Sequence, residues 1–475
     1  MSRLLQRHEG EHHKDSHGHG HNSSHYANIK WGYILLAGSL VYFAVFLAYE
    51  RRRPKYSKPF KISTHIALWI SATVGLCANL FPNIVENSST LLKRFGRFSY
   101  VLTTVDLLLA LRPNLLNYVY LVELHKWMSR YVIVLGIVHS VGFLVRWLVM
   151  GQLFKVLRLL NLLGVAIFLM FVVLLVLSIK VYRNKYYNTF YVIHNLTLVC
   201  YLGLINYHAR PGVTWLTMLN LFLVTVQIVF KFNITRIAST SVKNFGSLTL
   251  VTFEKPINYP ITTPGSHLVL QLSRNWRQWI FPAHPYTIIN NNEYLNLVVT
   301  NINRFKFDVE HMYTISFPYS SSLSLMEFEG KNVLMVIGGS GISYAISILN
   351  FYKTVKINFR LVWVVRDKRD LALIKEFNLN CQVDLYVTGS VSSGDMASEL
   401  GEQRDGLLHN IEMDEFEVAE DSETPEIMFA RGRPQISDFQ VPDLLIACGP
   451  DSLIYDAQAF ATANNVNFLK EFYNY

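Results

Sequence analysis

Cysteine is scarce. There are four in 475 residues, at positions 77, 200, 381 and 448, and no two form a C-x-x-C pair. That pattern gives no disulfide framework and no thiolate zinc site. Charge is scarce too: Lys, Arg, Asp and Glu make up 16% of the chain against 51% apolar residues, and mean hydropathy is positive. An ordinary soluble enzyme carries more charge than this, and the length exceeds one domain. A cleavable signal pattern is also missing, because the first 29 residues are polar and the first apolar run begins near Trp31. No nucleic-acid module accompanies the net charge of +9. Much of that charge flanks apolar runs, as in Arg51-Arg52-Arg53 and Arg183-Asn184-Lys185, where it orients membrane helices.

What is present is a block of apolar spans between about residues 31 and 232, the length a bilayer requires repeated about seven times. The spans fall near 31–49, 65–83, 97–115, 126–149, 160–181, 190–208 and 214–232. The third is the weakest, since Asp106, Arg112 and Pro113 interrupt it. Basic clusters after the first, fifth and last spans place those ends in the cytosol, and Lys93-Arg94-Arg97 falls on the wrong side of that scheme. The leading tail, residues 1–29, holds His8, His12, His13, His17, His19, His21 and His25. It is expected to be a disordered, solvated tail without a specific metal, with weak Zn or Cu binding by His17-Gly18-His19-Gly20-His21 as the lesser alternative.

Four histidines lie inside the spans. His125 and His139 are fourteen positions apart, and so are His194 and His208. Fourteen steps at roughly 100° each return to within about 40° of the same helix face, with a rise of about 21 Å. Two such helices facing each other give two His–His pairs at two depths. That geometry ligates two haem irons axially, one near each leaflet, with no open site for oxygen. A single buried histidine would most simply hydrogen-bond its neighbours, but two pairs of equal spacing and matching direction demand more.

Beyond Thr235 the pattern turns to short alternating strands, expected as a small barrel. His284-Pro285-Tyr286-Thr287 suits a flavin: Tyr286 to stack on the isoalloxazine, Thr287 to hydrogen-bond its reactive nitrogen, His284 to approach the pyrophosphate. Taken alone, it is a proline-bound strand end. Gly338-Gly339-Ser340-Gly341-Ile342-Ser343 follows the apolar strand Val333–Ile337, where glycines admit a pyrophosphate to a helix N-terminus. Arg366 ends the next strand, placed to read the 2′-phosphate of NADPH. Cys448-Gly449-Pro450 follows another apolar run and can line a nicotinamide pocket, and Tyr473 can cover the flavin. Cys448, Thr287 and Tyr473 are thus the residues expected on the hydride path. The acidic stretch around 405–437 is expected to be a solvated insertion without chemistry.

The order of these motifs resembles the ferric reductase and NADPH oxidase family, and within it a yeast metalloreductase branch, the altered-inheritance-of-mitochondria branch. Leu111-Arg112-Pro113-Asn114, His125-Lys126-Trp127 and His208-Ala209-Arg210-Pro211-Gly212 carry the branch resemblance, and Pro264-Gly265-Ser266-His267 resembles the family's barrel turn. The resemblance implies a multi-pass α-helical membrane domain, ferric-reductase-like, over 30–233. A ferredoxin-reductase-like module follows: an FAD-binding β-barrel over 234–330 and an α/β NADPH-binding domain over 331–475. It implies FAD, NADPH and two b-type haems, with Gly338–Ser343 and Arg366 on NADPH. One departure stands out, as Val299–Phe307 lacks the usual Gly-rich second flavin-phosphate segment. The expected activity is NADPH-dependent metalloreduction of Fe(III) or Cu(II) chelates across the plasma membrane or the endoplasmic reticulum, with the C-terminal domains cytosolic. Oxygen as acceptor, giving superoxide, is the alternative, and a non-catalytic membrane scaffold is the alternative of another class. Neither protein partners nor oligomeric state can be read.

Overall fold

The computed structural model describes residues 18–52, 61–111, 118–232, 234–256, 259, 263–272, 284–290, 293–301, 307–309, 311–316, 318–319, 330–352, 357–377, 379, 381–389, 416–418 and 427–471. The helices through residue 232 form one compact unit, and the chain from 233 forms a second.

The first unit is all-helical. Its long helices are α1 (Gly18–Arg52), α2 (Ile62–Cys77), α3 (Ile84–Ala110), α4 (Tyr118–Val149), α5 (Leu159–Leu177), α7 (Tyr187–His208) and α8 (Thr214–Phe232), with a short α6 (Lys180–Lys185) before α7. Six are long and apolar enough to cross a bilayer, and α3 is the long helix that is not. Large apolar side chains such as Val41, Val145, Leu169 and Phe222 point outward and stay exposed. In water such a surface is a liability, whereas in lipid it is the solvated face, with every backbone bond closed inside the helix.

The reason α3 fails the apolar test is that protein, not lipid, surrounds it. Residues 97–106 are buried without interruption, and Phe98, Val101, Leu102, Val105 and Leu109 form the centre of the bundle core. The third span therefore runs over Ile84–Ala110 rather than 97–115. It stops because Leu111 is already extended, two residues ahead of Pro113, whose ring disfavours helix in the residue before it.

The misplaced basic cluster finds its explanation here. Arg94 is 1% exposed. It donates from Nε to Asn28 Oδ1 at 3.0 Å and from Nη1 to the Leu76 carbonyl and Asn79 Oδ1 at 2.7 and 2.8 Å. Arg97 donates to the carbonyls of Ala209, Pro211 and Gly212 at 3.1–3.3 Å. Both are internal fasteners rather than flanking charges, so they say nothing about orientation. Arg97→Ala leaves the Ala209 and Pro211 carbonyls without this donor, while Gly212 keeps the Tyr33 hydroxyl at 2.9 Å, and is expected to cost about 2–3 kcal/mol, read as a lower thermal midpoint of the detergent-solubilised protein.

The first helix begins at Gly18, inside the segment expected to be disordered. No proline stands before Pro54, and each residue added to an existing helix gains one backbone bond. The side chains before Asn28 lie outside the described residues, and with them the candidate metal-binding histidines.

The second unit holds two sheets. The antiparallel barrel sheet runs β4-β3-β7-β1-β2-β6-β5, from β1 (Ile234–Phe245), β2 (Leu248–Glu254), β3 (His267–Leu272), β4 (His284–Thr287), β5 (Ile289–Asn290), β6 (Tyr294–Thr300) and β7 (Met312–Ser316). An irregularity between Ser239 and Ser241 lets the long β1 pair with β7 at one end and β2 at the other. The α/β sheet runs β11-β12-β10-β9-β8-β13-β14. It is built from β8 (Asn332–Gly338), β9 (Asn358–Val365), β10 (Gln382–Val387), β11 (Phe416–Val418), β12 (Met428–Arg431), β13 (Leu444–Cys448) and β14 (Asn467–Glu471), with α9 (Ile342–Phe351) and α10 (Asp451–Ala463) as crossovers. The acidic stretch is therefore not all loop. β12 adds a parallel strand beside β10, and β11 pairs antiparallel on its far side. Apolar Met428-Phe429 inside the acidic run supplies the strand, and Phe429 is buried in the core.

Asp370 joins barrel to α/β sheet. Its carboxylate is 1% exposed and accepts from the Ser247 and Leu248 backbone N–H groups at 2.8 and 2.9 Å and from the Ser247 hydroxyl at 2.5 Å. The β1–β2 hairpin tip, where Gly246 takes φ +53°, is thus tied just past Arg366.

Candidate functional site

The four membrane histidines come together in two pairs. His125 on α4 faces His194 on α7 with ring centroids 6.3 Å apart and planes at 81°. His139 and His208, on the same helices, stand 6.1 Å apart at 80°. Two imidazoles bound to one metal from opposite sides, at about 2.0 Å per bond, place their centroids about 6.3 Å apart. Both pairs fit an axially ligated haem iron.

The ring nitrogens are already sorted. His139 Nδ1 lies 2.8 Å from the Leu92 carbonyl, and His208 Nδ1 lies 2.7 Å from the Leu160 carbonyl. A carbonyl only accepts, so Nδ1 carries the proton and Nε2 is left as the lone-pair nitrogen for a metal. His125 Nδ1 faces Asp106 Oδ1 at 2.9 Å, and Ser129 Oγ donates to the other carboxylate oxygen at 2.6 Å. His194 is steadied by Phe190, whose ring stacks on it at 5.5 Å. Glycine makes room for the rings of His139 and His208. A Cβ at Gly96 would lie 2.7 Å from His139 Nδ1, and one at Gly164 would lie 2.6 Å from the His208 ring. His65, fully buried on α2, shows the contrasting case: its Nδ1 meets the Tyr42 hydroxyl at 2.7 Å.

In the second unit the nucleotide motifs converge at one sheet edge. β8 has β9 and β10 on one side and β13 and β14 on the other. The order of strands reverses there, which is where open parallel sheets bind ligands at their carboxyl ends. Gly338 to Ser343 leave the end of β8, and Cys448-Gly449-Pro450 leave the end of β13. They touch: a Cβ on Gly338 would lie 2.7 Å from Pro450 Cδ, and a Cβ on Gly341 would lie 3.1 Å from Cys448 Sγ and its carbonyl oxygen. Trp363 of β9 donates from Nε1 to the Gly339 carbonyl at 3.0 Å, fixing the loop from below. Arg366 follows β9 directly, exposed at the same edge.

In the barrel, β4 pairs with β3 so that Tyr286 opposes Leu268 and Thr287 opposes His267. Tyr286 is buried among the barrel core residues, and its ring meets Phe307 edge-on at 6.4 Å. Gly265, at φ +74°, donates its N–H to Ser347 Oγ on α9 at 3.0 Å, which sets the barrel turn against the α/β sheet. The side chain of His284, the residues 302–306 and Tyr473 lie outside the described residues.

Comparison with known proteins agrees with this division. A ferric reductase-like transmembrane component matches residues 95–205, an FAD-binding domain 232–335, and a ferric reductase NAD-binding domain 330–462. Probable metalloreductase AIM14 of Debaryomyces hansenii is 33% identical over 98% of this chain and 98% of its own length. The protein of the same name in Clavispora lusitaniae is 33% identical over 96% of this chain and 98% of its own. The chain belongs to this metalloreductase family. It is accordingly a multi-pass membrane oxidoreductase with FAD- and NAD(P)-binding domains. A ferredoxin NADP+ reductase from Neisseria gonorrhoeae superposes with a TM-score of 0.36 at 14% identity, over 50% of this chain and 98% of that one.

Sequence reasoning passed over several residues in this member of the metalloreductase family. Asp106 was counted only as an interruption of a span, although a lone acid at bilayer depth is itself a signal of a partnered site. Glu471 stands two residues before Tyr473 and drew no reading of its own. It ends β14 opposite Cys448, and burial pushes its carboxyl up from an ordinary 4.5 to about 7. A carboxyl that holds its proton more tightly folded than unfolded stabilises the fold fully below about pH 4.5 and loses that contribution as pH rises through about 7. Glu471→Gln is expected to flatten the fall in thermal midpoint between pH 5 and pH 8, measured on the flavin-loaded protein.

Proposed function

We propose that the chain is a transmembrane NADPH-dependent metalloreductase that delivers electrons to Fe(III) or Cu(II) chelates on the far side of the membrane through two haems. The observation that carries this reading is the pair of imidazole pairs, each at a two-bond metal spacing. When bound, NADPH supplies a hydride, FAD divides its two electrons, and the haems carry them singly.

The rest is the work of the chain. His125 and His194 hold the inner haem and His139 and His208 the outer one, with Nδ1 of His125, His139 and His208 engaged so that Nε2 faces the metal. The glycine loop after β8 and the Cys448-Gly449-Pro450 turn hold the nicotinamide nucleotide between them, and Arg366 recognises its 2′-phosphate. Thr287 orients the flavin, and Tyr286 supports its ring system. The helix ends near Arg52, Lys185 and Lys231 face the cytosol, in keeping with the excess of basic residues there. The flavin and nucleotide domains are cytosolic, and the membrane spanned is the plasma membrane or the endoplasmic reticulum.

Membranes containing the protein, supplied with NADPH and an Fe(III) chelate, test the reading. Iron reduction that resists superoxide dismutase supports a direct metalloreductase. Reduction abolished by dismutase, with matching oxygen uptake, makes superoxide the product. Purified protein without haem would refute the relay and favour a scaffold.

A further inference from the structure

The two histidine pairs match in spacing but not in what stands behind them. On the outer pair, His139 and His208 donate from Nδ1 to the neutral carbonyls of Leu92 and Leu160. On the inner pair, His125 faces the carboxylate of Asp106 at 2.9 Å, and the Asp106 backbone carbonyl lies 3.3 Å from the same nitrogen. Asp106 is held in place by Ser129, one turn beyond His125 on α4, and its backbone belongs to α3, the most enclosed helix of the bundle. The Asp106 side chain is 13% exposed, so it is largely enclosed by protein. Among the described residues, the partners behind the outer pair are the two backbone carbonyls alone.

We propose that Asp106 is a tuning residue that sets the reduction potential of the inner haem below that of the outer one. The inference rests on the haem reading above. An anionic acceptor draws the Nδ1 proton toward itself, which makes the imidazole a stronger donor through Nε2 and stabilises the oxidised metal. A backbone carbonyl does the same only weakly. Hydrogen bonding behind an axial ligand is among the levers by which a protein sets a haem potential. The asymmetry thus runs in the useful direction: each electron leaving the inner iron, which is oxidised from Fe(II) to Fe(III), finds at the outer iron a site that is more readily reduced. Ser129 moderates the effect. Its hydroxyl donates to Oδ2 and draws charge away from the oxygen that faces His125.

The experiment is a spectroelectrochemical titration of the purified haem-loaded protein in detergent, followed at the haem absorption bands. Wild type is expected to show two one-electron steps. Asp106→Asn, which leaves a neutral acceptor, is expected to raise the lower potential by a tenfold change in the reduction equilibrium, about 59 mV for one electron, and to leave the upper one in place. Ser129→Ala is expected to move the lower potential in the opposite direction, and Asp106→Glu to keep it near wild type. The opposite signs of Asp106→Asn and Ser129→Ala separate tuning from a general loosening of the fold, which would move both variants alike. Repeating Asp106→Asn on a His139→Ala background, with one haem left, assigns the step to the inner site. Potentials that stay put in Asp106→Asn, or a shift confined to the upper step, overturn the proposal while leaving the relay intact. Wild-type protein that binds no haem overturns the relay itself, and the two failures cannot be confused.

Discussion

His139→Ala is expected to abolish acceptor reduction while leaving flavin reduction by NADPH almost untouched. His139 stands opposite His208 at 6.1 Å, close to the spacing a metal-bound pair requires, and no other described histidine approaches that pair. Its loss leaves a single axial nitrogen, and the outer haem is expected to dissociate or bind weakly. The inner pair is fourteen positions away on each helix, about 21 Å along the axis, and keeps its own ligands. Haem content should fall from two per chain to one, with the chelate reductase rate at background. Two haems still bound in His139→Ala would show that the outer imidazole pair is not a ligand pair. His125→Ala should also lose one haem, and the remaining haem should no longer be reduced by NADPH.

Gly449→Ala is the matching experiment at the electron entrance. Gly449 takes φ +150°, a conformation that L-residues with a side chain rarely adopt. A Cβ there would lie 3.0 Å from both Cα and N of Gly338, which are backbone atoms that cannot swing aside. The substitution therefore pushes apart the two glycine turns that lie at the reversal point of the sheet. The strain alone costs about 1–3 kcal/mol, and displacement of bound nucleotide by about 1 Å is enough to slow its chemistry roughly 100-fold. The expected result is a fall of about that size in kcat/KM for NADPH at normal haem content. An unchanged kcat/KM would mean that the nucleotide does not lie between these turns.

The sequence carried some of these features openly and hid others. The fourteen-residue spacing of the membrane histidines is a helical period, and helix geometry needs no partner to be read. The glycine turns sit at the ends of apolar runs, so the α/β edge was readable for the same reason. Arg94 and Arg97 were misread because rules about flanking charge assume a solvent boundary, and these two are solvated by carbonyls that come from other parts of the chain. Asp106 as partner of His125, and the Leu92 and Leu160 carbonyls behind the outer histidines, are tertiary facts. No local period announces them. The strand within the acidic insertion was hidden because net charge was counted while the short apolar pair inside it was not. The burial of Tyr286 against Phe307 could not be read because strand alternation gives only a side of the sheet, and not what lies there.

The acceptors of Arg97 have a bearing on how the protein is made. Its guanidinium is satisfied by residues 209–212, up to 115 positions further along. At about 5–20 residues per second, those carbonyls emerge roughly 6–23 s after the arginine itself. During that interval the Arg97 guanidinium on α3 lacks its acceptors, whereas those of Arg94, at residues 28, 76 and 79, are already made, and an unpaired cation in an apolar bilayer is costly. A helix in that position waits beside the insertion machinery or at the membrane surface until α7 and the loop after it arrive.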